Sequence, residues 1–313
     1  MPLLPLRKAA SYHDVAPATW LLRPWILKGA ITELVGTQKD SGKTTLLMRG
    51  IVKCILEGAP FLGQAPLKGP VLYLTEQPET LVKNDLEASG LIDHPDLYML
   101  QWHDVWAVDW KGLIGKIRKD AVELGIVLVI VDTISQFALR GEQDENATKD
   151  ALAIMRPLQL CTANGLSVLI VRHERKQSAS TTKAGRGASA WSGAVDIVLR
   201  IRRLLNHKAK PNARMLEARG RHADIPEETE IELTSAGYIL SGKSKSATDQ
   251  VQDNVKKALE EGPLSLDDLI KVTGHDRKTL SGALKGLNGA LSVEKKGALV
   301  RYSLTQKAPA EVC

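Results

Sequence analysis

The segment ITELVGTQKDSGKTTLLMRG, residues 31–50, constrains the fold more than any other stretch of this chain. It places an apolar run, a glycine-containing turn and an amphipathic run in succession, which predicts a strand, a loop and a helix. The turn ends in Gly42-Lys43-Thr44-Thr45, as in phosphate-binding loops of the pattern G-x-x-x-x-G-K-[ST]. Five residues rather than four separate Gly36 from Gly42, so we expect a one-residue bulge before Gly42.

The residue types of this loop suit a phosphate ligand. Backbone N–H groups from Gly36 and from Ser41 to Thr45, together with the N-terminus of the following helix, would form a concave anion site. Lys43 can reach the β- and γ-phosphates, and the hydroxyl of Thr44 can bind Mg²⁺. Taken alone, the motif is also compatible with a Gly-Lys turn at the start of an ordinary surface helix.

Apolar and amphipathic runs alternate from residue 31 to about residue 195, which is typical of a parallel sheet covered by helices. The run at 126–132 is apolar until its last residue, as expected for a strand buried on both faces. After residue 195, strand-like runs follow one another without helices between them. The sequence therefore predicts an α/β domain over residues 31–240, with a mostly parallel sheet and an antiparallel extension, after an irregular lead-in over residues 1–30.

Two carboxylates follow strands of this predicted sheet. Asp132 ends the apolar run IVLVIVD, and Glu76 ends the run VLYLTE that follows the helix after the loop. Ligands of such sheets bind at the carboxyl ends of the strands, so both side chains would face the nucleotide. There Asp132 would direct Mg²⁺, and Glu76 would orient or deprotonate the attacking water. The alternatives are that Asp132 caps the next turn and that Glu76 is a solvated charge.

These features together resemble the RecA-like ATPases. Within them, the chain is most similar to the AAA-type proteins of plasmid and phage replication modules, typified by the RepA family of hexameric helicases. The resemblance extends from about residue 25 to residue 242. It implies a RecA-like P-loop NTPase core that binds ATP and Mg²⁺ and assembles into a homo-oligomer, a hexameric ring, on DNA.

The resemblance also implies roles for single residues. The family's catalytic glutamate falls on Glu76, its metal-directing aspartate on Asp132, and its γ-phosphate sensor on His173. The segment LEARGR resembles the part of such rings that inserts an arginine into the neighbour's site, which implies Arg219 or Arg221. From the residues alone, His173 could equally bond locally at a strand end, and the two arginines could be surface charges.

Residues 174–187, ERKQSASTTKAGRG, form a long polar stretch between two predicted strands. Stretches of this kind inside a compact domain are usually functional or disordered. In RecA-like rings the loops after central strands hold single-stranded DNA, which the resemblance extends to this stretch. The alternative is a flexible solvated loop. The basic residues expected to contact phosphates are Arg175, Lys176, Lys183 and Arg186.

The C-terminal part is predicted to be a small separate domain over residues 250–306, after a polar linker at 241–249 and before a tail at 307–313. Three helices, two of them with Ser265 and Asp276 as N-caps, precede a strand pair, which is the order of a winged helix-turn-helix. Such a domain places its third helix in the major groove of DNA, although the same fold also docks proteins. The basic residues of this third helix are Arg277, Lys278 and Lys285.

The composition narrows the class of protein further. Hydrophobic residues make up 43% of the 313 residues, which is enough for a large core, and the net charge of +6 permits a nucleic-acid partner. The three cysteines share no close spacing, so a disulfide framework or a zinc site is not expected. We find no signal peptide and no apolar run long enough to cross a membrane, which predicts a cytoplasmic location.

The leading expectation is thus an ATP-hydrolysing helicase. Two alternatives stay open at this point. The first is a non-translocating recombination mediator or helicase loader that uses ATP to change its affinity for DNA. The second is a DNA-binding regulator whose ATP site acts as a sensor.

Overall fold

A computed structural model describes residues 6–37, 41–139, 148–174, 191, 193–204, 210–222, 225–226, 228–235, 237–241, 247–260, 262–287, 291–296 and 299–305. The chain divides into two compact units. The first unit comprises Met1–Ile225 and Glu230–Gly242, and the second comprises Pro226–Thr229 and Lys243–Cys313. In the described part of the chain, every helix is too short or too polar to cross a lipid bilayer.

The strands of the first unit are β1 (Trp20–Leu22), β2 (Ile26–Leu27), β3 (Ile31–Gly36), β4 (Val71–Thr75), β5 (Leu97–Gln101), β6 (Leu128–Asp132), β7 (Ser167–His173), β8 (Ile197–Arg203), β9 (Ala213–Gly220), β10 (Glu228–Thr234) and β11 (Gly237–Leu240). Its helices are α1 (Lys43–Leu46), a π-helical segment (Leu47–Val52), α2 (Lys53–Glu57), α3 (Glu79–Ser89), α4 (Trp102–Val105), α5 (Trp110–Glu123), α6 (Ile134–Ala138) and α7 (Thr148–Thr162). A short 3₁₀ helix spans Ala9–Tyr12.

Within the described residues, nine strands form one sheet in the order β11-β10-β9-β8-β3-β7-β6-β4-β5. The six strands from β8 to β5 are parallel to their neighbours, whereas β9 runs antiparallel to β8 and β11 antiparallel to β10. This is the mostly parallel sheet with an antiparallel extension that the sequence predicts, and it fits a P-loop NTPase core. Because β3 lies in the middle of the sheet, the loop that follows it opens near the centre of the row formed by the carboxyl ends of the parallel strands.

Hydrophobic side chains cover both faces of the parallel strands, which explains their continuous apolar sequences. All five residues of β4 and all five of β6 are buried. On one face they pack against the helical stretch from α1 to α3, and on the other against α5, α6 and α7. Helix α7 contains Pro157 within its length.

The second part of the lead-in, residues 20–30, is part of this core, whereas residues 6–19 are exposed. Strands β1 and β2 pair antiparallel, and Leu21, Leu22 and Ile26 between and within them are fully buried. The N–H of Leu67 also donates to the carbonyl of Leu21 at 2.7 Å. The hairpin therefore belongs to the same hydrophobic cluster as the helical stretch from α1 to α3.

The described elements of the second unit, after its short N-terminal piece, are α8 (Ala247–Glu260), β12 (Leu264–Ser265), α9 (Leu266–Thr273), α10 (Arg277–Gly286), β13 (Leu291–Lys296) and β14 (Leu299–Leu304). The strands form an antiparallel sheet in the order β12-β14-β13. The short strand β12 is not predicted by the sequence, because its two residues carry no strand pattern and are fixed by pairing with β14.

The helices of this unit begin where their capping residues predict. Ser265 and Asp268 form a reciprocal capping box at the start of α9. The carboxylate of Asp276 accepts a hydrogen bond of 3.0 Å from the N–H of Thr279 at the start of α10. A small core around Val255, Leu269 and Leu280 holds the three helices together.

Candidate nucleotide-binding site

The predicted phosphate loop and the two predicted carboxylates meet at one edge of the sheet. Strands β3, β7, β6 and β4 are consecutive and parallel, so their carboxyl ends lie side by side. The register pairs Gly36 of β3 with His173 of β7, and Thr75 of β4 with Asp132 of β6. Glu76 follows Thr75 directly, and its N–H lies 3.3 Å from the carbonyl oxygen of Asp132.

Lys43 is buried at the start of α1 and its ammonium group lies against its own loop. Nζ donates to the carbonyl oxygens of Gly36 at 2.8 Å and Thr37 at 3.0 Å, and lies 3.3 Å from Nδ1 of His173. Burial lowers the pKa of Lys43, while the charges of Asp132 and Glu174 act in the opposite direction. A buried ammonium held by carbonyl oxygens is well placed to exchange them for phosphate oxygens.

Two glycines of the loop are required by its geometry. Gly42 precedes α1 with φ +86°, in the left-handed region that disfavours other residues. A Cβ on Gly36 would lie 2.6 Å from Oγ of Ser41 and 2.9 Å from the carbonyl oxygen of Ile201. The loop thus passes too close to its neighbours for any side chain at Gly36. The bulge predicted before Gly42 falls on residues 38–40, which lie outside the described residues.

Asp132 is a buried carboxylate with an unusual proton affinity. Burial raises its pKa to about 6, against the opposing effects of a hydrogen bond from Tyr73 and the charge of Lys43. The phenol of Tyr73 donates to Oδ2 at 2.6 Å. No local pattern points to this tyrosine, because it lies within an apolar strand and only the pairing of β4 with β6 brings it to Asp132.

Glu76 is held beside Asp132 by Thr133, the residue that follows Asp132 in the chain. Its carboxylate accepts hydrogen bonds from the N–H of Thr133 and, at 3.3 Å, from the hydroxyl of Thr133. The peptide bond between Asp132 and Thr133 is cis. Thr133 was not singled out from the sequence either. Together these contacts hold the Glu76 carboxylate at the edge where Lys43 lies.

The hydroxyl of Thr44 and the carboxylate of Asp132 are oxygen donors of the kind that Mg²⁺ prefers. The side-chain amide of Gln77 donates to Oγ1 of Thr44 at 3.3 Å, which ties the end of β4 to the start of α1. The raised pKa of Asp132 also fits, because a nearby cation would favour the charged form of this buried carboxylate. The residues present therefore fit a magnesium ion beside the phosphate loop.

The antiparallel extension brings further side chains to the loop. Arg214 of β9 donates from Nε to the carbonyl oxygen of Ser41 at 3.1 Å. A Cβ added at Gly42 would lie 3.5 Å from Nε of Arg214 and 3.9 Å from the hydroxyl of Tyr238 in β11. Sequence reasoning missed both residues, since they lie some 170 to 200 positions further along the chain and no local pattern distinguishes them.

Arg219 and Arg221 lie at the other end of the strands, where β3 and β8 begin. Arg219 pairs with Val198 near the start of β8, and Nη1 of Arg221 lies 3.9 Å from Asp196. Asp196 in turn accepts a hydrogen bond from the N–H of Ile31, the first residue of β3. Since β3 spans six residues, the loop at its other end is roughly 15 to 20 Å away. Neither arginine reaches the phosphate loop of its own chain.

A chain of ion pairs leads from the loop toward β9. The N–H of Glu174 donates to the carbonyl of Gly36 at 3.0 Å, and its carboxylate pairs with Arg200. Arg200 also pairs with Glu217 at 3.3 Å, and Glu217 pairs with Arg202. The outer face of β8 and β9 is therefore charged.

Most of the side chains predicted to contact nucleic acid lie outside the described part of the chain. Arg175, Lys176, Lys183 and Arg186 lie outside the described residues, as do the side chains of Lys278 and Lys285. Arg277, at the start of α10, forms an ion pair with Asp267, and both side chains are exposed. An exposed pair of this kind contributes little to stability, and it satisfies part of the hydrogen-bonding capacity of Arg277.

One comparison with known proteins bears on this site. A family model described as an AAA domain matches residues 3–179. This match covers more than half of the chain and includes the phosphate loop, Glu76, Asp132 and His173. No curated protein matches the sequence.

Proposed function

Because the chain belongs to the AAA-domain family of P-loop ATPases, we propose that it hydrolyses ATP with Mg²⁺ at the edge formed by β3, β7, β6 and β4. The observation that carries this proposal is the meeting of Lys43, Asp132, Glu76 and His173 at one sheet edge. Positively charged and carboxylate side chains with these roles are what phosphoryl transfer to water requires.

Each residue has a distinct task in the proposed reaction. Backbone N–H groups at the start of α1 and the ammonium of Lys43 bind the β- and γ-phosphates. Glu76, held by Thr133, orients the attacking water and accepts its proton. Nδ1 of His173 lies 3.3 Å from Nζ of Lys43. When the γ-phosphate takes the ammonium of Lys43 away from His173, the imidazole senses the presence of this phosphate. When bound, Mg²⁺ neutralises charge on the phosphates, and Thr44 and Asp132 hold it in place.

We further propose that catalysis depends on assembly. Arg219 and Arg221 lie far from the phosphate loop of their own chain, at an exposed edge of the sheet. An arginine inserted from a neighbouring subunit stabilises charge on the transferring phosphoryl group. In a homo-oligomeric ring, the edge that carries Arg219 and Arg221 would supply this group to the next subunit.

The proposed substrate of the assembly is DNA, and the proposed activity is that of a RepA-like replicative helicase. The basic stretch over residues 174–187 directly follows His173, so DNA contacts there would be coupled to the nucleotide. The second unit has the element order of a winged helix, namely helix, short strand, two helices and a strand pair. It would recruit the ring to duplex DNA through α10.

The test is the ATPase rate per subunit, measured against protein concentration with and without single-stranded DNA. We expect the rate to rise with both, because the neighbour's arginine and the DNA complete the site. A rate that is independent of protein concentration and of DNA contradicts the assembly. Lys43→Ala should abolish hydrolysis, and Lys116→Ala, an exposed lysine of α5, is the matched control.

Two further measurements separate the proposed helicase from its alternatives. Strand displacement on a forked duplex is expected of a helicase and not of a non-translocating mediator or loader. Binding of a specific duplex site that survives Lys43→Ala would instead favour a regulator.

A further inference from the structure

Arg214 is the second residue of β9 and has no role in the function proposed above. Because β9 runs antiparallel to β8, its first residues lie at the same sheet edge as the phosphate loop. Arg214 pairs in register with Arg203, the last residue of β8. From there its Nε reaches the carbonyl oxygen of Ser41, 173 positions away in sequence, at 3.1 Å.

The guanidinium group of Arg214 is held in one orientation. Nη1 donates to the carbonyl oxygens of Pro211 at 2.7 Å and Ala213 at 2.8 Å. In the described part of the chain, all three of its hydrogen bonds end on backbone carbonyls. A planar group with a rigid set of donors, fixed by two bonds at its own strand, is suited to hold a third acceptor in place.

The contact with Ser41 also fixes the direction of an N–H group. The carbonyl of Ser41 and the N–H of Gly42 belong to one peptide unit, and in a trans peptide they point in opposite directions. Because the carbonyl points to Arg214, the N–H of Gly42 points away from β9. Gly42 immediately precedes Lys43, so this N–H is one of the donors of the phosphate loop.

We propose that Arg214 is a positioning residue for the phosphate loop, which holds the Ser41–Gly42 peptide so that the N–H of Gly42 is directed at the β-phosphate of the nucleotide. This inference rests on the proposed ATPase function. The N–H of Gly42 contacts the β-phosphate in the ground state and in the transition state alike. Loss of Arg214 therefore weakens nucleotide binding and raises KM, with little change in kcat.

The experiment compares the full-length wild type with Arg214→Met, which keeps the aliphatic stem and removes the donors, and with Arg214→Lys, which keeps one donor. Lys210→Met is the matched control, because the side chain of this neighbouring lysine pairs with the partly buried Glu230 and, among the described residues, forms no hydrogen bond to the phosphate loop. Binding of MgADP is measured by titration and by the rise in melting temperature that MgADP causes. Steady-state ATP hydrolysis supplies KM and kcat.

We expect Arg214→Met to bind MgADP about tenfold more weakly and to raise KM about tenfold, as for the loss of a hydrogen bond to a charged group. We expect kcat within twofold of wild type, an intermediate Kd for Arg214→Lys, and no change for Lys210→Met. If Arg214→Met unfolds at a lower temperature than wild type without nucleotide, Arg214→Lys becomes the deciding variant. An MgADP affinity of Arg214→Lys between those of wild type and Arg214→Met then supports the positioning role.

Two results would overturn the assignment of Arg214. One is an unchanged Kd and KM in Arg214→Met, and the other is a fall in kcat at constant KM. Failure of the ATPase function itself is distinguishable, because the wild type would then hydrolyse no ATP, whether or not MgADP binds and raises its melting temperature.

Discussion

The hydroxyl of Tyr73, in β4, donates a 2.6 Å hydrogen bond to Oδ2 of Asp132 at the end of the neighbouring strand β6, and both side chains are buried. Burial raises the pKa of Tyr73 well above its ordinary value, so the phenol stays a donor at any working pH. The bond occupies one carboxylate oxygen and fixes the orientation of the other. Tyr73 therefore determines how the proposed magnesium ligand faces the nucleotide.

Replacing Tyr73 should affect the dependence on magnesium. We expect Tyr73→Phe to need a several-fold higher Mg²⁺ concentration for half-maximal ATP hydrolysis, because the carboxylate of Asp132 is no longer held in one orientation. The measurement is ATPase activity over a Mg²⁺ titration at saturating ATP. Tyr98→Phe, in the neighbouring strand β5, is the control and should leave the titration unchanged. An identical titration curve for Tyr73→Phe would show that Asp132 does not depend on this bond.

Asp132 should make the stability of the protein depend on pH. Its pKa of about 6 in the fold exceeds the value of about 3.9 for an unfolded aspartate, so the folded state binds more protons between these values. Stability from this group is then full below about pH 4 and falls as the pH rises to about 6. At pH 7.5 the buried charge destabilises the fold by about 3 kcal/mol.

The variant that tests this prediction is Asp132→Asn, which keeps an acceptor for Tyr73. We expect it to be more stable than wild type at pH 7.5 by up to about 3 kcal/mol, and equally stable near pH 4. Denaturant unfolding at both pH values without magnesium measures the difference. A gain of the same size at both pH values would exclude the titration of Asp132 as the cause.

Glu76→Gln should separate binding from hydrolysis. Glutamine keeps the size of the side chain and an oxygen that can accept the hydrogen bond from Thr133, but it cannot accept the proton of the attacking water. We expect kcat to fall at least about a hundredfold, with nucleotide affinity within a fewfold of wild type. Glu79→Gln, an exposed acid at the start of α3, is the control. Loss of nucleotide affinity in Glu76→Gln would instead assign the residue to binding.

A buried ion pair next to the site should matter for stability rather than for chemistry. Arg172 of β7 pairs with Glu33 of β3 at 2.7 Å, and its guanidinium stacks 4.7 Å from the ring centre of the buried Trp191. Removing Arg172 takes from the buried carboxylate of Glu33 the ion-pair partner that lies 2.7 Å away. We expect Arg172→Met to lower the free energy of unfolding by about 3–5 kcal/mol.

The double variant Glu33→Leu/Arg172→Met distinguishes an uncompensated charge from a simple loss of packing. Because it removes both charges, we expect it to recover most of the stability lost in Arg172→Met. Denaturant unfolding of the single variants and the double variant measures the coupling. A double variant as unstable as the sum of the two single variants contradicts an ion-pair role.

The local pattern of the sequence was enough to predict several parts of the structure. The strand before the phosphate loop and the helical stretch from Lys43 form as predicted, although Leu47–Val52 of this stretch is π-helical. The mostly parallel sheet and the antiparallel strands after residue 195 also form as predicted. The capping residues Ser265 and Asp276 begin their helices. Such features depend on residues that are near one another in sequence, or on the apolar pattern that burial on both faces demands. The roles of Arg219, Arg221 and the basic stretch at 174–187 stay predictions.

Only the tertiary structure decided which distant side chains complete the site. The order of the strands brings Tyr73 to Asp132, Arg214 to Ser41 and Thr133 to Glu76. None of these partners carries a local signal, because a tyrosine in an apolar strand or an arginine at a strand end occurs in countless settings. Their roles arise from strand order and register, which are set by the packing of the whole domain rather than by any one segment.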